Sequence, residues 1–105
     1  MNTHSATATV PTPNASRYLQ QLCKHWSHNL AVTFTAEEGK ITFPRDVRGN
    51  SFPEEATVTL QAREAALEVL VDASALDQLE GLKGAVASHL DRFAFREAPL
   101  AFDWR

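Results

Sequence analysis

Apolar residues recur at helical spacing in two stretches of the chain. The first stretch runs from Pro13 to about Asn29, with Thr12 as its expected N-cap and Pro13 in the first turn, where proline is favoured. At about 100° per residue, its apolar side chains share an arc of roughly 100°. These side chains are Leu19, Leu22, Cys23, Trp26 and Leu30. The pattern predicts an amphipathic helix with one face to bury.

A second helix is predicted to begin after Asp72 or Ser74, either of which can cap it, and to continue to Phe93. Its buried face spans an arc of roughly 120°. The arc holds Leu76, Leu79, Leu82, Lys83, Val86, Leu90 and Phe93, of which only the lysine is polar. Gly81 and Gly84 lie on the opposite side, and each weakens the helix by about 1 kcal/mol relative to alanine. We therefore expect a kink or a short break there.

Alternation of apolar and polar residues, the pattern of half-buried strands, predicts six strands. They cover residues 5–10, 31–35, 40–43, 56–62, 67–71 and 100–105. A glycine-containing turn at 36–39 joins the second and third strands into a hairpin, and residues 63–65 join the fourth and fifth. The interval 44–55, rich in proline and charge, is predicted to be a loop, either a tolerated insertion or a binding loop.

The predicted order of elements is strand, helix, four strands, helix, strand. An antiparallel sheet with one apolar face and two one-faced helices implies an α+β two-layer sandwich with both helices on the same side. The other sheet face is rich in threonine, which indicates a solvated surface or a platform for a ligand, a partner sheet or a second copy of the chain. Up to the second helix this order is similar to one repeat of the TATA-binding-protein fold, although the mixed charges of the open face disfavour DNA binding.

Composition limits the class of protein. A chain of 105 residues, 44% hydrophobic and 22% charged, is predicted to fold as a single domain over residues 1–105. Its net charge of −3 disfavours nucleic-acid binding, and it has no apolar stretch long enough to span a bilayer. Residues 1–12 lack the features of a signal peptide, and the single cysteine cannot form an internal disulfide. We therefore expect a soluble, cytoplasmic protein.

A first candidate for chemistry is a histidine pair in the first helix. His25 and His28 stand three residues apart, so they lie close together on the polar side of the helix. Two imidazoles at this spacing can share a metal ion or a haem iron if a third ligand comes from elsewhere, and His89 can supply it. The alternative is that both are solvated surface residues. Cys23 is expected to be a small buried side chain rather than a nucleophile, because its neighbours on the helix are apolar.

A second candidate is the run from His89 to Glu97. If this run is helical, Arg92 and Arg96 lie one turn apart and can clamp a carboxylate or a phosphate. The structural alternative pairs these arginines with Asp91 or Glu97 at the surface. The sequence contains no phosphate-binding glycine loop, nucleophile elbow, paired-cysteine motif or zinc-protease helix.

Two long motifs, ASRYLQQLCKHWSH at residues 15–28 and HLDRFAFRE at residues 89–97, stand out together with Trp104 near the end of the chain. With them the chain resembles a family of small bacterial proteins known only as a domain of unknown function. Similar domains occur beside or joined to siderophore-interacting flavin reductases, so the resemblance implies a link to iron acquisition but supplies no catalytic residues. The polar motif residues that a core does not require are Arg17, His25, His28, His89, Arg92 and Arg96.

Three hypotheses for function follow from these features. The first is a non-enzymatic accessory domain that uses those six polar residues to bind a small anionic ligand, an iron–siderophore complex or an iron-handling flavoprotein. The second is a metal-dependent or acid–base enzyme that uses His25, His28 and His89. The third is a structural homodimer formed through the threonine-rich sheet face or through an edge strand.

Overall fold

The computed structural model describes residues 4–47 and 50–105, and this part of the chain contains two helices and seven strands. In chain order they are β1 (His4–Pro11), α1 (Ala15–Trp26), β2 (Ala31–Phe34), β3 (Glu38–Phe43), β4 (Asp46–Val47), β5 (Asn50–Ser51), β6 (Ala56–Ala62), β7 (Ala66–Ala73) and α2 (Leu76–Phe93). Both predicted helices and the first five predicted strands are therefore present. β4 and β5 pair only with each other, inside the interval predicted to be a loop.

Five strands form one antiparallel sheet in the order β1-β7-β6-β3-β2. β2 and β3 form the predicted hairpin, and the N-terminal strand lies beside β7. β6 and β7 are joined directly, with Ala62 opposite Leu67 and the amide of Arg63 donating to the carbonyl of Ala66 at 2.8 Å. The hairpin predicted at residues 63–65 is therefore confirmed.

Alternate residues of these strands bury one face of the sheet. Val69 lies opposite Ala8 on one side and Leu60 on the other, and Ile41 lies opposite Val58. All five are buried. The helices cover this face with Tyr18, Leu19, Leu22, Cys23 and Trp26 of α1 and with Leu79, Leu82, Val86 and Leu90 of α2. The predicted sandwich, with both helices on one side of the sheet, is confirmed because all these side chains share one core.

The opposite face of the sheet is polar and open. Thr7, Thr9, Thr59, Gln61 and Glu68 line a depression across β1, β7 and β6. As predicted, threonines occupy the positions that alternate with the buried ones. A β-branched side chain with a hydroxyl group suits a strand surface that meets water.

The predicted strand at residues 100–105 does not form a regular ladder. Arg105 alone pairs with Thr7, through two backbone hydrogen bonds of 2.9 and 2.8 Å. Further upstream, the amide of Leu100 donates to the carboxylate of Asp91 at 2.8 Å, so this part of the backbone bonds to a helix side chain rather than to β1. The alternate apolar residues of the segment pack against the core without forming a ladder. Their spacing therefore resembles that of a strand, although the segment is not one.

α1 begins two residues later and ends three residues earlier than predicted. The hydroxyl group of Thr12 accepts a hydrogen bond from the amide of Asn14 at 3.1 Å and itself donates to Glu97. Thr12 therefore forms a turn that precedes the helix, and Asn14 occupies the N-cap position. The helix ends at Trp26, and a turn follows it.

α2 is continuous from Leu76 to Phe93, so the helix is not interrupted at Gly81 or Gly84. The burial of its apolar arc outweighs the cost of about 1 kcal/mol for each glycine. Neither helix in the described part of the chain is long and apolar enough to cross a bilayer.

Candidate functional site

The different lengths of the two helices shape the candidate site. α1 and α2 follow β1 and β7, which are antiparallel neighbours, so the helices run in opposite directions over the sheet. α1 has 12 residues and α2 has 18, which makes α2 longer by about 9 Å at about 1.5 Å per residue. The C-terminal half of α2 lies beside α1. Its N-terminal half extends past the end of α1, where a cleft opens.

A row of aromatic rings runs along the contact between the helices, in the order Phe93, His25, His89, Trp26 and Phe43. Successive ring centroids are 5.9, 5.2, 5.0 and 5.1 Å apart. Two of the three histidines considered as metal ligands, His25 and His89, therefore meet across the helix pair.

A backbone hydrogen bond orients the ring of His89. Its Nδ1 lies 2.7 Å from the carbonyl oxygen of Ala85, one turn earlier in α2. Because a carbonyl oxygen can only accept, Nδ1 is the donor of this bond, and in the uncharged tautomer with this proton Nε2 is the acceptor nitrogen. His89 is half-buried and His25 is exposed, so solvent reaches both rings.

His28 lies apart from this pair. α1 ends at Trp26, and His28 is an exposed residue of the turn that follows. Within residues 4–47 and 50–105, no three histidine, cysteine, aspartate or glutamate side chains are placed to hold one metal ion. The structure therefore brings two of the three candidate histidines into contact.

The three arginines considered as anion ligands lie near the start of α1 and the end of α2, which the hydrogen bonds of Glu97 join. Arg17 is exposed near the start of α1, and Arg92 is exposed in the last turn of α2. Arg96 follows α2, with its guanidinium carbon 5.7 Å from the ring centroid of Phe95. In the described part of the chain, no ion pair joins any of them to another residue.

Glu97 bonds to the start of α1 instead of pairing with an arginine. Its carboxylate accepts hydrogen bonds from the hydroxyl of Thr12 at 2.8 Å, the side-chain amide of Asn14 at 3.0 Å and the hydroxyl of Tyr18. The bond from Tyr18, followed by those from Asn14 and Thr12, lowers the pKa of Glu97. The same carboxylate, aided by burial, raises the pKa of Tyr18. Since Asp91 bonds to the backbone, neither surface pairing predicted for the arginines forms.

A cleft of about 680 Å³ lies between the end of α1, the end of β3 and the N-terminal half of α2. Its walls are mostly apolar. The residues that line it are Trp26, Asn29, Leu30, Phe43, Pro44, Asp46, Phe52, Asp77, Gln78, Gly81, Leu82, Ala85 and His89. Of the six polar residues singled out in the sequence, His89 alone belongs to this set. The sequence signal for the cleft was the irregular interval 44–55, which supplies three of its residues.

A buried glutamine fixes this interval to α2. Gln78 is only 4% exposed, and its side-chain amide donates to the carbonyl of Glu54 at 3.1 Å. Its Oε1 accepts the backbone amide of Ser74 at 2.8 Å, and the hydroxyl of Ser74 bonds to the same carbonyl of Glu54 at 3.0 Å. Neither Asp72 nor Ser74 is therefore the N-cap of α2, a position that Ala75 occupies. Ser74 instead ties the loop to the helix.

Cys23 is fully buried between α1 and the sheet. Burial raises the pKa of its thiol to about 11, so the group stays protonated at neutral pH. The thiolate is the nucleophilic form of cysteine. The prediction of a small buried side chain is confirmed.

These elements define a small α+β sandwich with a five-stranded antiparallel sheet and an apolar cleft beside two histidines. The chain belongs to the bacterial family described as "Uncharacterized protein conserved in bacteria (DUF2218)", whose model matches residues 7–105. The resemblance that the two motifs indicated is therefore confirmed.

A solved structure shares this architecture. The chain is similar to PA4090 from Pseudomonas aeruginosa, whose NMR structure matches it with a TM-score of 0.77 and 29% sequence identity. The match covers 98% of this chain and 96% of that one. No curated protein matches the chain significantly. These similarities establish the family and the fold and assign no activity.

Proposed function

We propose that this protein is a non-enzymatic accessory domain that binds a small aromatic molecule in the cleft. The observation that carries the proposal is a cleft of about 680 Å³ with Trp26, Phe43 and Phe52 among its lining residues. Sites for small molecules typically measure roughly 300–1,000 Å³ and combine apolar and aromatic walls with a few polar groups. Both the size and the lining of this cleft agree with that range.

The polar groups of the cleft favour a ligand that donates hydrogen bonds. The carboxylates of Asp46 and Asp77 are acceptors, and so is the free Nε2 of His89. An aromatic ring with hydroxyl or amino substituents suits these walls. Catechol, the iron-binding ring of many siderophores, has this chemistry, so the proposal retains the link to iron acquisition that the family resemblance implies.

A small anion is less well suited to this cleft. The anionic-ligand hypothesis relied on Arg17, Arg92 and Arg96, and none of these lines the cleft. Two carboxylates do line it, and they repel a like charge. We therefore propose a neutral or cationic ring, bound in the cytoplasm.

Fluorescence of Trp26 tests the proposal directly. The chain has two tryptophans, so a Trp104→Phe variant leaves one reporter, which lies in the cleft wall. We expect catechol and tyramine to change the emission of Trp26 in a saturable way, and benzoate to bind at least tenfold more weakly. The absence of saturable binding by any of the three would contradict the proposal.

Two glycines of α2 provide a matched pair of variants. Gly81 lines the cleft, whereas Gly84 lies outside the lining, and a side chain added at either meets open space. Gly81→Leu places a side chain in the cleft and is expected to weaken catechol binding at least tenfold. Gly84→Leu, with the same change in helix propensity, is expected to leave binding within twofold. Equal effects of the two variants would place the ligand elsewhere.

The other hypotheses stay predictions. An enzyme that uses His25, His28 and His89 requires a third group near the pair, since His28 lies apart. A homodimer formed through the threonine-rich face predicts a doubled mass by light scattering at high concentration and a monomer on dilution. Binding to an iron-handling flavoprotein predicts co-elution of the two proteins in size-exclusion chromatography.

A further inference from the structure

We infer that His25 and His89 form a two-imidazole site for a divalent late transition-metal ion at the edge of the cleft. The inference does not rest on the proposed function, because it concerns only the contact between α1 and α2. It differs from the expected three-histidine site, since only two protein ligands contribute and His28 takes no part.

The separation of the two rings agrees with a shared ion. Their centroids are 5.2 Å apart, and the ring planes are tilted by 49° rather than stacked. With metal–nitrogen bonds of about 2.0–2.1 Å and a tetrahedral angle, two imidazoles on one ion have centroids roughly 5 Å apart. The observed centroid distance therefore matches that of two imidazoles bound to one ion.

The hydrogen bond to Ala85 prepares His89 for coordination. Imidazoles that bind metals usually donate their second ring N–H to a carbonyl or a carboxylate, which fixes the tautomer and the ring orientation. Nδ1 of His89 makes such a bond at 2.7 Å, so Nε2 is the atom available to an ion. This bond fixes the orientation of the ring, which lowers the cost of ordering it on binding.

The donor set decides the class of metal. Neutral imidazoles suit copper, nickel and zinc, and the affinity of nitrogen ligands is highest for Cu²⁺. Two protein ligands leave the remaining coordination positions to water or to donor atoms of another molecule. Because His25 is exposed and His89 lines the cleft, a molecule in the cleft can reach those positions.

Titration with Cu²⁺ tests the site. The chain has four histidines, so a His4→Gln background leaves only the two ligands and His28. Trp104→Phe makes Trp26 the sole reporter, and its ring centroid lies 5.0 Å from that of His89. We expect Cu²⁺ to quench Trp26 with saturation near one equivalent. His25→Gln and His89→Gln are each expected to weaken binding at least tenfold, and His28→Gln to leave it within twofold.

Side-chain NMR provides a second measurement that does not depend on the variants. Zn²⁺ is expected to shift the ¹⁵N resonances of the His25 and His89 rings, including Nε2 of His89, and to leave those of His28 unchanged. The inference is overturned if His25→Gln binds Cu²⁺ as tightly as the background, if His28→Gln loses as much affinity as His25→Gln, or if Zn²⁺ leaves the resonances of His89 in place.

Discussion

α1 and the N-terminal half of α2 cover the same sheet, yet they leave very different amounts of space. A Cβ atom added to Gly39 of β3 would lie 2.6 Å from Sγ of Cys23 in α1 and 3.2 Å from Cβ of Phe34. A Cβ atom added to Gly81 or Gly84 of α2 would meet no atom within 4 Å. The glycine of the strand lets α1 approach the sheet closely, whereas those of the longer helix face open space.

The two regions suit different roles, the first close packing and the second the binding of a ligand. Where α1 meets β3, the residues are buried and closely packed, so few substitutions are tolerated there. Where α2 extends past α1, the helix lines a cleft instead of filling it. A site that holds a small molecule belongs in the second region, because a ligand needs space that the core does not occupy.

Gly39→Ala is expected to have the largest effect, because it adds a methyl group where α1 packs against β3. The new methyl group would overlap Cys23 in a core that has no free volume at that point, so we expect a loss of about 1–3 kcal/mol in the free energy of unfolding. Urea denaturation measures the loss. In a Cys23→Ala background the same change is expected to cost less, because Sγ is gone. An equal cost in both backgrounds would show that the contact with Cys23 is not the cause.

Acidification is expected to weaken the junction between α1 and the segment after α2. The folded protein lowers the pKa of Glu97 below its ordinary 4.5, so it binds this proton less readily than the unfolded chain. The contribution of Glu97 to stability is therefore present above about pH 4.5 and is lost as the pH falls through the lowered pKa.

Tyr18→Phe separates this effect from general acid denaturation. It removes the largest cause of the lowered pKa, so urea denaturation between about pH 3 and 6 is expected to show a smaller dependence on pH than the unchanged protein shows. Glu64→Gln, an exposed change in the turn between β6 and β7, serves as the control. A Tyr18→Phe profile parallel to that of the unchanged protein would rule out this origin for the effect.

Gly84→Ala tests whether the exposed side of α2 is open in solution. Alanine favours a helix by about 1 kcal/mol over glycine, and nothing lies close enough to obstruct the methyl group. We expect an increase of about 0.5–1 kcal/mol in the free energy of unfolding, measured as a higher thermal midpoint. Destabilisation by this variant would mean that the open side of α2 is packed in solution.

Glu80→Gln is expected to have the smallest effect. The carboxylate of Glu80 lies 2.9 Å from Nζ of Lys83, one turn along α2, and Glu80 is well exposed. Exposed pairs at this spacing contribute about 0.2–0.5 kcal/mol, and salt screens them. Denaturation at low and high salt should show a small loss that disappears at high salt. A loss above about 1 kcal/mol would reveal a role for this pair beyond the surface.

Local patterns predicted the elements and their buried faces well. Leu19, Leu22 and Cys23 are buried as the helical arc of α1 requires. The prediction fails at Leu76, which belongs to the apolar arc of α2 but is 60% exposed. Leu76 is the first residue of the helix, and periodicity alone does not show where the opposing layer ends.

Which groups stand together in the site could be predicted only in part. That His89 approaches His25 was expected from two helices packed side by side, and the rings do meet. The end of α1 at Trp26, before His28, could not be predicted to the residue, because helix ends are weakly encoded in local sequence. The partners of Glu97 come from about 80 residues earlier in the chain, so no local spacing signals them.

Local spacing of apolar residues encodes which side of each helix and strand faces the core, because the periods of about 3.6 and 2 residues are properties of the local backbone. Tertiary structure alone decided that β1 lies beside β7 and that α2 extends past α1. It also decided that Trp26, Phe43, Phe52 and Gly81 surround one cleft. Those outcomes depend on how whole layers stack, and the free energy of stacking is shared among many residues far apart in the chain.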